Sequence, residues 1–99
     1  MLIAIDYDKT WTLDPHLWEI FAGNCRLYGH RLICVTGRHP SQPVPLQMPI
    51  VYAHNEFKRR AAERAGYKVD IWIDDMPGVI EDTRILSFDD DGATAREDS

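Results

Sequence analysis

Four short clusters carry the residues with the most chemical reach: Asp6-Tyr7-Asp8-Lys9-Thr10, Thr36-Gly37-Arg38, Lys58, and Asp74-Asp75. An all-oxygen donor set of this kind suits a hard divalent cation, and favours Mg2+ over zinc. A phosphate monoester, with a charge of about −1.5 to −2, is an anion that such a cation would serve. One unit of that charge at roughly 4 Å from a bare carboxylate meets about 4 kcal/mol of repulsion at an effective dielectric near 20. A cation bridging carboxylates and a phosphate oxygen removes that repulsion. Even so, Asp6, Asp74, Asp75 and the phosphate bring about five negative charges against about three positive ones from Mg2+ and Lys58. Neutral donors must supply the balance. The Thr36 hydroxyl and backbone N–H groups in the turns, Gly37 included, fit that need, with Arg38 either an extra cation or a solvated turn residue.

The elements that must position these residues are legible from patterning. Residues 2–5 (Leu-Ile-Ala-Ile) form an apolar run that ends at once in acids, the pattern of a strand buried on both faces and emerging at a polar edge. Asp14 and Pro15 supply an N-cap and a first-turn proline, and Leu17, Trp18, Phe21, Cys25 and Tyr28 recur at helical spacing up to Gly29. This predicts a helix over 15–28. Further strands are predicted at 31–35, 50–53 and 69–73, and a shorter fifth at 84–88. A second helix over 56–65 is predicted, capped by Asn55 and stopped by Gly66. Four prolines between Arg38 and Ile50 oppose a helix there, and 76–83 leaves room for little more than two turns.

Strands alternating with helices specify an α/β, Rossmann-like three-layer fold with a small parallel sheet. About five strands are predicted, in the order 5-4-1-2-3, with the site at their carboxyl ends. Residues 1–88 make up the predicted domain and 89–99 a disordered acidic tail. The crossovers are so trimmed that one sheet face is left for a second subunit to cover, which makes a homo-oligomer a candidate state.

The ordered set Asp6-Tyr7-Asp8-Lys9-Thr10, Thr36, Lys58 and Asp74-Asp75, each acid or hydroxyl at a strand end, resembles the haloacid dehalogenase superfamily over residues 2 to about 75. The resemblance implies a phosphatase, a hydrolase of phosphate esters, in which Asp6 attacks phosphorus to give an aspartyl-phosphate. Asp8 would protonate the leaving oxygen and then activate water. Thr36, Gly37 and Lys58 would bind phosphate. Asp6 and Asp75 would bind Mg2+, with Asp74 assisting and Asp8 contributing its backbone carbonyl. Dehalogenating members lack an acid at the second position, so Asp8 favours phosphate chemistry. Trp11 departs from the small aliphatic residue usual there, and is either core or a stacking platform. Trp18 and Trp72 fit the core, and His54 fits a solvated strand end.

The superfamily's inserted cap has no room here. A capless site suits a macromolecular substrate, such as a phosphoprotein or a nucleic-acid end, or a small one if a second subunit acts as lid. The net charge of −5 over 99 residues provides no basic stripe, which argues against general nucleic-acid binding. Cys25 and Cys34 lack metal-knuckle spacing and lie in apolar stretches, as a buried reduced pair would. No run is long enough to span a bilayer and no leader precedes the first strand, so a soluble, cytoplasmic protein without membrane partners is predicted. Two rivals share these residue types. A receiver-type signalling domain places its acids and lysine in a different order, and a non-catalytic metal- or phosphate-binding protein has no need of Asp8.

Overall fold

The computed structural model describes residues 1–82. They form a small α/β unit with a four-stranded, all-parallel sheet and two helices, consistent with a Rossmann-like arrangement. The strands are β1 (Leu2–Ile5), β2 (Arg31–Thr36), β3 (Ile50–Tyr52) and β4 (Ile71–Ile73), in the order β3-β2-β1-β4. The count and order are therefore those of a four-stranded sheet rather than the five-stranded 5-4-1-2-3. The strand predicted at 84–88 and the tail predicted at 89–99 lie outside the described residues. Helix α1 (Pro15–Leu27) links β1 to β2, and α2 (Lys58–Arg64) links β3 to β4.

The central strand is apolar because it is covered twice. Ala4, Ile33, Val35 and Val51 meet Ala61 and Ala62 of α2, whereas Ile5 meets Ala22 of α1 and Trp11. Successive residues of a strand point to opposite faces, so α1 and α2 pack on opposite sides. Small alanines on α2 let a helix of seven residues sit close to the sheet. Both sheet faces thus have a helix of the same chain. The proline-rich link, which forms no helix, adds Leu46 and Met48 to the α1 side. Leu17, Ile20 and Leu27 on the outer side of α1 remain exposed.

The helix signals were obeyed unequally. Asp14 caps α1 by accepting from the Leu17 N–H at 3.2 Å, and Pro15 occupies the first turn. Gly29, at φ 80°, follows the C-cap, where the left-handed conformation suits glycine. α2, predicted from 56, begins at Lys58. Asn55 does not cap it. Asn55 instead adopts φ 60° in the turn before the helix, a conformation asparagine tolerates, and Phe57 occupies the cap position without a side-chain bond. β4 is shorter than 69–73: its ladder with β1 pairs Ile71–Ile73 with Ile3–Ile5, and Asp70 before it is tied to Leu2 through its N–H and its carboxylate. Among the described residues no helix is long and apolar enough to cross a membrane.

The cap on α1 sets the direction in which the chain leaves the β1 loop. Asp14→Ala should cost about 1 kcal/mol, within the usual range for a lost N-cap, read as a lower urea midpoint with an unchanged slope.

Candidate functional site at the carboxyl edge

β1 ends at Ile5 and its next residue, Asp6, stays tied to the sheet: the Asp6 N–H donates to the Ile73 carbonyl at 2.9 Å. The chain then turns sharply, with Lys9 at φ 61°. Thr10 and Trp11 fold back under the sheet edge, both buried. The Trp18 indole N–H donates to the Thr10 carbonyl at 2.9 Å, so α1 clamps the loop. Trp11 belongs to the core with Ile5 and Ala22. Of its two predicted roles it takes the structural one.

Lys58 is the centre of the site. Its Nζ, on an almost fully buried side chain, donates to Asp6 Oδ1 at 2.7 Å and to Asp74 Oδ2 at 2.6 Å. Asp74, whose side chain is 2 % exposed, also accepts from the Met76 N–H at 2.8 Å. On the other side of Asp6, the Thr10 hydroxyl shares its proton between Asp6 Oδ2 at 3.2 Å and Asp75 Oδ1 at 3.4 Å. Oxygens of Asp6, Asp74 and Asp75 all lie within 4.8 Å of one another, an arrangement able to hold a metal ion. With Lys58 the group carries a formal charge of −2 when all three acids are ionised. Burial pushes the Asp6 carboxyl up from its ordinary range, against the pull of Lys58. For Lys58, burial alone would lower the ammonium, but its bonds to Asp6 and Asp74 outweigh burial and raise it.

Asp8 lies apart from that trio. The Arg38 guanidinium grips it bidentately, with Nε to Oδ2 and Nη2 to Oδ1 both at 2.8 Å. This pair holds the Asp8 carboxyl below its usual range. Arg38 also lies over the Tyr7 ring, 4.9 Å from its centroid, and Nη1 donates to the Pro43 carbonyl. Thr36, wholly buried, accepts the Arg38 N–H on its hydroxyl at 3.2 Å, which leaves the hydroxyl proton free to donate elsewhere. Asp6, Asp8, Gly37, Lys58, Asp74 and Asp75 all line one cleft of about 470 Å³.

The structure thus gathers Asp6, Lys58, Asp74 and Asp75 into one contact group and brings Asp8 and Gly37 to its rim. His54 instead stacks edge-on against His39. Two functional placements went unassigned in the sequence. Thr10, quoted within the first cluster, received no role, although a hydroxyl four residues after a strand-end acid can reach back to it across a turn. The Arg38–Asp8 pair follows from register, which the sequence does not display: Ile5 pairs with Cys34, so Asp8 and Gly37 each stand three residues beyond that pair. Cys34 is inert, its thiol pushed up to about 12 by burial.

Comparison of the chain with protein-family models, with curated proteins and with solved structures found no match.

Removing the guanidinium should release Asp8. In Arg38→Ala the Asp8 carboxyl should titrate closer to the ordinary value of about 3.9, as followed by carboxyl-carbon NMR against pH. The sign is fixed by the pair: a depressed carboxyl contributes stability above its unfolded value and loses it as pH falls through the folded one. Arg38→Ala should therefore flatten stability against pH in the acid range.

Proposed function

We propose that this chain is a Mg2+-dependent phosphohydrolase of the capless haloacid dehalogenase type, cleaving a phosphate monoester through an aspartyl-phosphate on Asp6. The observation that carries this reading is the position of Asp6. Lys58 bonds one of its oxygens, Thr10 and Asp75 flank the other, and Asp8 stands two residues on at the same cleft. The Asp6, Asp74 and Asp75 carboxylates would hold Mg2+: the donors are hard oxygens, within 4.8 Å of one another, with a residual formal charge of −2 that a dication would cancel. When bound, the ion would neutralise charge and polarise the phosphoryl group.

The residues divide the work by their surroundings. Asp6 Oδ2 faces Thr10 and Asp75, so Oδ1 is the attacking atom, and Lys58 beside it guides a phosphate oxygen into reach. Bond formation from Oδ1 to phosphorus breaks the bond to the leaving oxygen, which takes a proton from Asp8. Asp8 must first acquire that proton. An arriving phosphate dianion draws Arg38 toward itself, and its charge raises the Asp8 carboxyl, so substrate converts Asp8 from a locked base into an acid. Water, deprotonated by Asp8, then attacks phosphorus and releases Asp6. The turn at Gly37, which lines the cleft, supplies further N–H donors for phosphate oxygens, and the buried Thr36 hydroxyl, predicted as a direct donor, instead supports that turn through the Arg38 N–H.

A second reading, a metal- or phosphate-binding protein without turnover, is favoured by the grip of Arg38 on both oxygens of Asp8. The two readings part in an assay over a panel of phosphate esters with and without Mg2+. Metal-dependent turnover is expected. Asp6→Asn should abolish it, and Asp8→Asn should lower it by about 10²–10⁴-fold, the range for a general acid–base. Retention of full turnover by Asp6→Asn would defeat the mechanism, and failure of the native chain on every ester would leave the binding reading.

A separate test concerns the cation. Burial raises the Asp6 carboxyl, so without a cation the folded state binds that proton more tightly than the unfolded chain does. That contribution is present at acid pH and lost as pH rises through the folded value. A cation requires the ionised form. Mg2+ should therefore raise Tm by an amount that grows from about pH 4 to about pH 7. A Tm unmoved by Mg2+ at neutral pH would count against the site.

A further inference from the structure

Beside the carboxylate cleft lies a second hollow of about 440 Å³, bounded by Phe57, Arg60, Gly78 and Val79. Asn55, Glu56 and Val79 line both hollows, which therefore adjoin. Phe57 and Arg60 stand three residues apart at the start of α2, so they share a face. The Phe57 ring is 38 % exposed beside a strongly charged site. Arg60 makes no hydrogen bond or ion pair among the described residues; the neighbouring Glu56, whose charge it stabilises from a distance, is held by Arg64. Lys58 reaches Asp6 in the first cleft. From a phosphate against Asp6 and Lys58, the shared wall of Asn55, Glu56 and Val79 borders the hollow that Phe57 lines.

We propose that this second hollow receives the leaving group of the substrate, and that this leaving group carries a flat aromatic ring, as a nucleoside or an aryl alcohol does. The proposal rests on the phosphohydrolase reading and names its substrate class. The ring stacks on Phe57, a sequence-tolerant contact open to any π-face. The Arg60 guanidinium approaches the same ring as a cation, and the Asn55 amide offers both a donor and an acceptor to its edge. A polyol leaving group uses none of these and would strip water from its hydroxyls against an apolar face. In the reaction the bond from phosphorus to the ring-bearing oxygen breaks, that oxygen takes the Asp8 proton, and the neutral alcohol departs through the second hollow.

Gly78 provides the decisive variant. A Cβ built there meets nothing within 4 Å and its backbone is not left-handed, so a side chain is accommodated and Gly78→Leu adds bulk at the wall of the second hollow. kcat/KM is measured with Mg2+ for adenosine monophosphate, phenyl phosphate and glycerol 3-phosphate. The two ring-bearing esters should exceed glycerol 3-phosphate by roughly tenfold, mostly through KM, and Gly78→Leu should erase most of that ratio. Adenosine monophosphate ahead in KM would assign a nucleoside source, and phenyl phosphate ahead an aryl one. Equal KM across the three esters, or a ratio that Gly78→Leu does not move, would overturn the proposal. A binding arm separates this failure from that of the phosphohydrolase reading. Adenosine monophosphate and glycerol 3-phosphate are titrated calorimetrically onto Asp6→Asn and Asp6→Asn/Gly78→Leu with Mg2+. The same preference and the same loss are expected without turnover, and equal affinities would overturn the proposal even if esters were cleaved.

Discussion

Three carboxylates at one edge of a parallel sheet would drive each other apart were it not for the Lys58 ammonium, held at 2.7 Å from Asp6 and 2.6 Å from Asp74. Both acids and the lysine are nearly removed from water, so each depends on the others for its charge to be tolerable. Taking one partner from such a buried group leaves an uncompensated charge, at a cost of about 3–5 kcal/mol. That is comparable to the whole stability of many small domains, about 5–15 kcal/mol. The same arrangement leaves a formal charge of −2 when all three acids are ionised, which a dication would cancel on the proposed reading.

What places Lys58 there is the sheet. α2 rests on the face opposite α1, with Ala61 and Ala62 letting it approach β2 and β3 closely. Its first residue then falls beside the end of β1. Parallel register does the rest: Ile5 pairs with both Cys34 and Ile73, so Asp6 and Asp74 emerge at one level, while β2 runs two residues further to Thr36. Asp6 and Asp74 converge because β1 and β4 end together, and the longer β2 carries the turn at Gly37 up beside them. No loop has to travel to bring them there.

Much of this was legible from residue patterns. Apolar runs ending in polar residues identified the strands, the acids after β1 and β4 marked the edge where Asp6 and Asp74 meet, and Asp14, Pro15 and Gly29 bounded α1 closely. Less legible were features set by contact rather than pattern. Asn55 has the chemistry of a cap, but the turn required a left-handed residue there, so Phe57 took the cap position without a bond. β4 begins only at Ile71 because Asp70 turns its carboxylate onto the Leu2 N–H, a contact that apolar patterning does not display. Trp11 left two uses open, since an indole suits a core and a stacking platform equally; the helix above it decided in favour of the core. Arg38 was ambiguous because its partner lies thirty residues away in sequence and only the register of β1 with β2 brings them together.

The trimmed crossovers raise the question of how firmly such short elements can hold a site. The proline-rich link has no helix, yet it is pinned at several points. The Val44 N–H donates to the Tyr52 hydroxyl at 3.1 Å, Val44 is buried, and Pro43 accepts from Arg38. Leu46 and Met48 fill the space beside Trp11 that a helix would otherwise cover. Prolines reduce the freedom of the unfolded link, so ordering it costs less than ordering a chain of the same length without them. The link therefore does with four prolines and a few anchors what a crossover helix does with a hydrogen-bonded ladder. Its Pro43 contact also means that Arg38, and through it Asp8, is held from both β2 and the link, so the acid at the rim is positioned by the very segment that looked weakest.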